Sequence, residues 1–475
     1  MEATRIRNTE ASIEQVHLPV LSRAGYRSWD PEGYARAEKL LSQVRGRMSG
    51  RSISSVTYMA GGALIDILDS VLPYVREGGI DAQWLRLNAG PDIRRVTRRL
   101  YNNLYGSGGD GGGLGEDERA ALAQVGAAAG DLTVCIRPGD VVVLHDPPTA
   151  ALIGPAREAG AHVVWRCHLG VDSPNEPARR AQEFLHPLIA GADAYVFTRP
   201  EYAWEQLEQD KVFTIPPSLD PLSARNRGLS PQAGLAILDR IGLTDSSSEV
   251  APIFTRHDGS PQRVDRAAVI DQDSPIRDGA PVVAQIASWE QLKDQSGTLD
   301  AFADHCDDHY AHLVLVGPVD EDRPEEHAVL TEVRARRDRL PAAVRERVHL
   351  VSLPMEDREE NAAMVNAIQR RADVILQKSL AEGFGLSVAE AMWKERPVIA
   401  AKIGGMKDQI IDGESGVLID DPRNLAAFGN AITALLGDPD RRRKLGAAAK
   451  ERVQQRYLTP SHVARYLELI EKVVG

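Results

Sequence analysis

The stretch AEGFGLSVAEAMW, residues 381–393, holds two carboxylates: Glu382 before a turn bearing Gly383, Phe384 and Gly385, and Glu390 beyond it. Acids this close in sequence suggest the acid and base of a glycoside hydrolase. They suit a second chemistry as well, because an ionised carboxylate accepts hydrogen bonds from two hydroxyls at once and so anchors a polyol. Ser387 followed three residues later by Glu390 also spells a capping box, which needs no ligand. Glu382 has no such local explanation. Leu386 and Ser387 open the helix, and the unpaired N–H groups of a helix start attract phosphate. A similar turn lies in YMAGGALIDIL, where Gly61 and Gly62 let main chain approach a ligand closely, although a tight strand-to-helix turn calls for glycine in any case.

The elements that must hold these residues come in two series. SSVTYMA, AQWLRLN, DVVVLHDP, HVVWRCHLG and AYVFTRP occupy the first half; APVVAQIAS, HLVLVGP, RVHLVSLP, ADVILQ and RPVIAAK occupy the second. Short β-branched runs alternating with helical patterns indicate buried parallel strands, hence doubly wound α/β layers. Ligands of such sheets bind beyond the carboxyl ends of the strands, where the two glycine turns fall. Residues 217–280 are polar, rich in Pro and Asp and without clear apolar period, which reads as linker and surface insertion. Asp271 and Asp273 stand there as Asp-x-Asp but at no strand end, so a solvated pair is expected rather than a metal site. The run YGSGGDGGGLGEDE, residues 105–118, reads as a mobile surface loop. HVARYLELIEKVV closes the chain as an amphipathic helix. The expected division is residues 1–220, a linker at 221–280, a second domain at 281–455 and a terminal helix at 456–475.

Composition narrows the class. With 475 residues, 43% hydrophobic and 26% charged, the chain exceeds one core and matches a globular protein of two domains. The first twenty residues lack an apolar h-region and no stretch reaches the ~18 apolar residues of a spanning helix, so the expectation is a cytoplasmic protein without a membrane partner. Three scattered cysteines predict neither a disulfide framework nor a zinc site. A net charge of −12 argues against nucleic acid as a partner but allows a polyanionic small ligand held by local amides and cations.

The motif EGFGLSVAE, followed by RPVIAAKIGG and DGESGVLID, resembles the E-x7-E signature of retaining nucleotide-sugar glycosyltransferases of family four. VVVLHDPP, VVWRCHLGVDSPN, YVFTRPEY and FTIPPSLDPLSARN resemble the trehalose synthase branch of that family, from about residue 50 to the C-terminus. The resemblance implies the GT-B fold: two Rossmann-like domains facing a cleft, with the last helix crossing back to the first domain. It assigns Glu382 to the donor sugar's 3- and 4-hydroxyls and Glu390 to the nucleotide ribose. Lys293 of ASWEQLKD would neutralise the diphosphate, with Gly61 and Gly62 beside the phosphates. His168 matches a histidine near the reacting sugar, and Asp146 lies in the matching HDP. The implied substrates are a nucleoside diphosphate sugar and a small polyol or sugar acceptor; no cofactor and no metal is required, and a homodimer is left open.

One position departs from the pattern. Where the family reads S-R-x-D-x-x-K-G, this chain has ASWEQLKD, so Ser288 replaces the arginine that grips the leaving diphosphate. Losing one charge-assisted contact costs roughly 1.5–3 kcal/mol unless another group compensates. An arginine among residues 256–266 is one candidate. A phosphorylase using inorganic phosphate, a natural-product glycosyltransferase with an unusual sugar and a non-catalytic nucleotide-sugar binder are the alternatives to glucosyl transfer.

Overall fold

The computed structural model describes residues 11–58, 63–246, 249–306, 310–318 and 324–475. The chain divides into two compact units, one of residues up to Ser218 together with Thr459–Gly475, the other of Leu219–Leu458.

The first unit is built on strands β1 (Ser12–Val16), β2 (Ser52–Tyr58), β3 (Asp81–Asn88), β4 (Val141–His145), β5 (His162–Cys167), β6 (Ala194–Phe197) and β7 (Val212–Thr214). Their order is β1-β3-β2-β4-β5-β6-β7, all parallel except β1, which runs antiparallel to β3. Successive strand residues face opposite sides. Val142, Leu144, Val163 and Trp165 therefore join the core beneath helices Pro91–Leu104 and Glu176–Ile189. Their neighbours Val143, His145 and Arg166 face the helices Ala63–Glu77 and Thr459–Val474. The C-terminal helix thus belongs to the first unit, packing on Pro31–Arg47 and Ala63–Glu77.

The second unit carries β10 (Val269–Asp271), β11 (Val282–Ile286), β12 (His312–Pro318), β13 (Val348–Leu353), β14 (Val374–Gln377), β15 (Val398–Ala401) and β16 (Val417–Ile419), after a small hairpin of β8 (Ile253–Thr255) and β9 (Pro261–Arg263). The order is β10-β13-β12-β11-β14-β15-β16, parallel except for β10 at the edge. Strand order reverses at β11 and β14 here, and at β2 and β4 in the first unit. Those reversals are where connecting loops diverge to opposite faces and leave a crevice above the strand ends. Both sheets are the doubly wound α/β layers expected from the two strand series. Among the described residues no helix is long and apolar enough to cross a membrane.

Two segments differ from their sequence reading. Residues 221–280 are not a bare linker: they form the helix Pro231–Ile241, the β8–β9 hairpin and the edge strand β10, all in the second unit. Ile237, Leu238 and Ile241 are buried at helical spacing on one short helix, whereas the later anchors Phe254, Val264 and Ile276 stand ten or more residues apart in polar chain, which hides any period there. Asp271 pairs with Arg334, and Asp273 with Arg337 and Arg345. The glycine run is clamped rather than loose, because Arg99 donates to Asp110, to the Gly113 carbonyl at 2.6 Å and to Glu118 at 2.7 Å.

Leu467 is fully buried on the C-terminal helix. Leu467→Ala is expected to destabilise the first unit by about 2–5 kcal/mol, the usual cost of emptying a buried leucine site. Chemical denaturation followed by a probe in that unit measures it; an unchanged midpoint would show that this helix does not hold the unit together.

Candidate active site

The reversal of strand order in the second unit sets the loop after β11 beside the loop after β14. Glu382 and Lys293 come from these two loops, and Lys293 Nζ donates to Glu382 Oε2 at 2.8 Å. Burial alone would lower the Lys293 pKa; the Glu382 and Glu290 carboxylates outweigh it and hold the ammonium above its ordinary value. Glu382 Oε2 also accepts from Ser379 Oγ at 3.3 Å, while Gln377 Nε2 donates to Ser379 Oγ at 2.9 Å. The carboxylate is therefore aimed by its own loop.

Gly385 sits at φ +81°, in left-handed backbone that a side chain resists. A Cβ there would come within 3.2 Å of Glu382 Cγ and Met406 Cγ, so glycine both permits the turn and leaves room for the acid. The Gly383 carbonyl accepts from Gly405 N at 3.1 Å, and the Phe384 carbonyl accepts from Gln409 Nε2 at 2.5 Å. The helix Leu386–Trp393 begins directly after Gly385 with no side-chain cap. Ser387 is not half of a capping box: its Oγ donates to Gln377 Oε1 at 2.9 Å. Glu390 instead points into a buried cationic corner, 3.4 Å from Gln369 Nε2 and 3.7 Å from Arg225 Nε, and is only 4% exposed. The local explanation for Glu390 thus fails, and the N–H groups at Leu386 and Ser387 have no capping side chain to satisfy them.

Ser288 lies half-buried in the loop after β11. The arginines of the preceding segment, read as possible substitutes for the missing cation, are themselves ion-paired. Arg256 pairs with Asp357 and Glu359, Arg263 with Asp265, and Arg266 with Glu360, so their charge is taken up mainly at the start of helix Arg358–Arg371.

In the first unit the corresponding reversal brings β4 beside β2 and, next to it, β5. Gly61 and Gly62 lie outside the described residues. Asp146 follows β4 at φ 64° and ψ 171°, a conformation that costs a non-glycine residue of order 1–3 kcal/mol and that persists chiefly at functional sites. It is pinned there: its N–H donates to the Arg166 carbonyl at 2.7 Å, and its Oδ1 accepts from His168 N at 2.8 Å. Burial pushes the Asp146 carboxyl up to about 7, against the opposing pull of the His168 amide and Arg166.

His168 is one of three histidines around Arg166. His145 Nδ1 lies 3.2 Å from His168 Nε2, Arg166 Nε lies 2.9 Å from the same nitrogen, and His462 Nδ1 donates to the Pro216 carbonyl at 2.9 Å. Arg166 is 1% exposed and, among the described residues, forms no ion pair; Tyr466 Oη at 2.5 Å and the Ile215 carbonyl at 3.0 Å accept from it instead. Burial and this guanidinium drive His145 down to about 3 and His168 and His462 well below their ordinary values, so all three rings are neutral. A cavity of about 30 Å³ lies among these rings and the apolar faces of the two helices, room for a water or two, and the buried His145 Nε2 has no hydrogen-bond partner among the described residues. The tertiary structure adds His145, Arg166, His462 and Tyr466 to the residues read from sequence. Their prior signal was the presence of His145 in HDP and of Arg166 in WRCH, and the i, i+4 spacing of His462 and Tyr466 on one helix face.

Residues 267–452 match the family model of the glycosyl transferases group 1, and residues 53–204 that of the trehalose synthase N-terminal domain. A solved UDP-forming α,α-trehalose-phosphate synthase from Burkholderia xenovorans superposes with a TM-score of 0.66 at 13% identity, covering 90% of this chain and 100% of that one. Fold and matched models together define a glycosyltransferase of GT-B architecture. The trehalose synthase of Pyrococcus horikoshii is 31% identical over 431 residues, 90% of this chain and 92% of that one. That of Rubrobacter xylanophilus is 30% identical over 445 residues, 92% and 94% of the two chains. The chain belongs to the trehalose synthase family.

The Asp146 carboxyl supplies a pH signature. Its pKa rises from 3.8 to about 7 on folding, so between those values the folded state keeps a proton that the unfolded state releases, and stability falls as pH rises through that window. Asp146→Asn is expected to leave the melting temperature nearly unchanged at about pH 4 and to raise it at about pH 8, relative to the native chain. A difference that does not grow with pH would show that this carboxyl ionises normally.

Proposed function

We propose that this protein transfers a hexose, glucose in the first instance, from a nucleoside diphosphate sugar to a small hydroxylic acceptor with retention at the anomeric carbon. Glucose as acceptor gives trehalose. The observation that carries the reading is the apposition of Lys293 and Glu382 at the strand-order reversal of the second unit: a cation suited to a diphosphate beside a carboxylate suited to sugar hydroxyls.

The reaction breaks the bond between the anomeric carbon and the diphosphate oxygen and forms one to the acceptor oxygen on the same face. The acceptor's proton passes to the departing oxygen. Negative charge grows on the leaving group, and Lys293 with the uncapped N–H groups at Leu386 and Ser387 is placed to stabilise it. Glu382 orients the sugar through its hydroxyls, and Glu390 takes the ribose. Donor arrival exchanges the Lys293–Glu382 pair for contacts of each partner with substrate. In the first unit the neutral His168, set by Arg166, offers hydrogen bonding to the reacting sugar rather than a mobile proton, and Asp146 holds the His168 main chain. No protein base and no covalent nucleophile takes part. The absence of a required cofactor and the cytoplasmic setting belong to the same proposal.

Ser288 favours one second reading. With Lys293 as the single cation read from sequence at the leaving group, inorganic phosphate would make a smaller demand than a diphosphate, and the chain would then cleave trehalose by phosphorolysis.

Incubation with labelled nucleotide glucoses and glucose is expected to yield trehalose and nucleoside diphosphate. Phosphate-dependent trehalose cleavage without nucleotide would replace this reading with the phosphorylase one, and no turnover in either assay would leave only binding. Glu382→Ala is expected to abolish transfer while nucleoside diphosphate affinity, measured by calorimetry, stays within a few-fold. Lys293→Ala should reduce turnover by about 10²–10⁴-fold, each tenfold corresponding to ~1.4 kcal/mol of lost transition-state stabilisation; a loss below tenfold would place the leaving-group charge elsewhere.

A further inference from the structure

Lys293 and its neighbour Asp294 each reach across to the loop after β14. Lys293 Nζ meets Glu382, and Asp294 Oδ2 meets Lys378 Nζ. Between the two ion pairs Leu380 N donates to the Leu292 carbonyl at 2.8 Å. Beneath them Gln285, on β11 and fully buried, spans both loops: its Nε2 donates to the Lys293 carbonyl at 2.9 Å and its Oε1 accepts from Lys378 N at 3.0 Å. The two loops are thus joined by main chain, by one amide and by two ion pairs of opposite polarity.

The two pairs are not equivalent. The Lys378 side chain is 1% exposed, against 18% for Lys293. Lys378 Nζ also lies 5.6 Å from the Phe428 ring centroid, and the Asp294 carboxylate caps the helix Gln295–His305 by accepting from Gly297 N at 3.1 Å. Asp294 takes φ +50°, left-handed for a residue with a side chain. A buried ammonium at the first turn of a helix opposes the helix dipole, and only a paired carboxylate makes it tolerable. The outer pair can open to substrate; the inner pair is locked by burial and capping.

We propose that Asp294 and Lys378 are positioning residues for leaving-group departure: their buried ion pair is a strut that fixes the main chain at 293 and 294, and hence the reach of Lys293 toward the diphosphate. This rests on the reading of Lys293 as the leaving-group cation. A misplacement of about 1 Å at a reacting centre can cost on the order of 10²-fold in rate, so a strut that touches no substrate still governs turnover.

The test compares Lys378→Arg, which keeps the charge with different reach, and the double variant Asp294→Asn/Lys378→Met, which removes both charges and leaves Asn to cap the helix. Both are assayed for kcat, KM for each substrate, calorimetric affinity for uridine, adenosine and guanosine diphosphates, and melting temperature. The expected result is a kcat about 10–100-fold lower in each, weaker nucleoside diphosphate binding and an unchanged acceptor KM, with the melting temperature of at least one variant close to native. A folded variant with native kcat and native diphosphate affinity overturns the strut. So does a loss of activity that tracks melting temperature across the two and raises acceptor KM in parallel, because that is loosening of the fold. Lys293→Ala separates the layers: if it is silent, the underlying reading falls; if it is crippling while the strut variants are native, the reading stands and the strut does not.

Discussion

The organisation of the second unit depends on the reversal of strand order between β11 and β14. Because Val283 and Ala284 pair directly with Val374 and Ile375, the loops leaving these strands start side by side yet lead to helices on opposite faces of the sheet. Everything chemical in this unit is hung on that junction. Gln285 stitches the loops below, the Asp294–Lys378 pair braces them, and Lys293 and Glu382 meet at the exposed end. The glycine at 385 then turns the chain into a helix whose first N–H groups are left without a cap. The meeting of a cation, a carboxylate and uncapped helix N–H groups at this junction results from topology first and side chains second.

The first unit meets its own reversal with a different electrostatic solution. Here a buried guanidinium is surrounded by neutral rings, a phenol and a carbonyl rather than by a carboxylate partner. The nearby acid, Asp146, is kept close to protonation by burial, and it spends its hydrogen-bonding capacity on main chain. Burial, reinforced by Arg166, therefore lowers the proton affinity of His145, His168 and His462 together, and the cluster presents polar atoms without titrating in the neutral range. The C-terminal helix closes this arrangement by supplying His462 and Tyr466, so the return of the chain to the first unit completes the polar cluster as well as the packing.

Local signals carried much of this. Two series of β-branched runs separated by helical patterns are enough to call for two doubly wound sheets, since parallel strands covered on both faces must be apolar throughout. The EGFGLSVAE stretch marks a glycine turn into a helix by its residue types alone, and an acid before such a turn has few structural reasons to be there. Signals that depend on a single buried side chain every ten or more residues did not survive in the same way: residues 250–280 look like linker because their anchors Phe254, Val264 and Ile276 are sparse, and the glycine run looks loose because its clamp, Arg99, lies outside it.

What sequence determined by itself was therefore the periodicity of the elements, the number of sheets, and the residues at strand ends whose chemistry is local to a turn. Pairing partners far apart in the chain were decided by tertiary structure. Ser387 and Glu390 fit a capping box by spacing, but Gly385 is the N-cap and the helix starts at Leu386, two residues too early, so Ser387 lies inside it and the two side chains went instead to Gln377 and to the corner formed by Gln369 and Arg225. Lys378 reads as one more lysine until the sheet sets it against Asp294, and Arg166 as a strand residue until the last helix arrives. The reason is physical: backbone preference and hydrophobic period act over a few residues, whereas the cost of burying a charge is set by whichever distant group the fold brings within hydrogen-bonding reach.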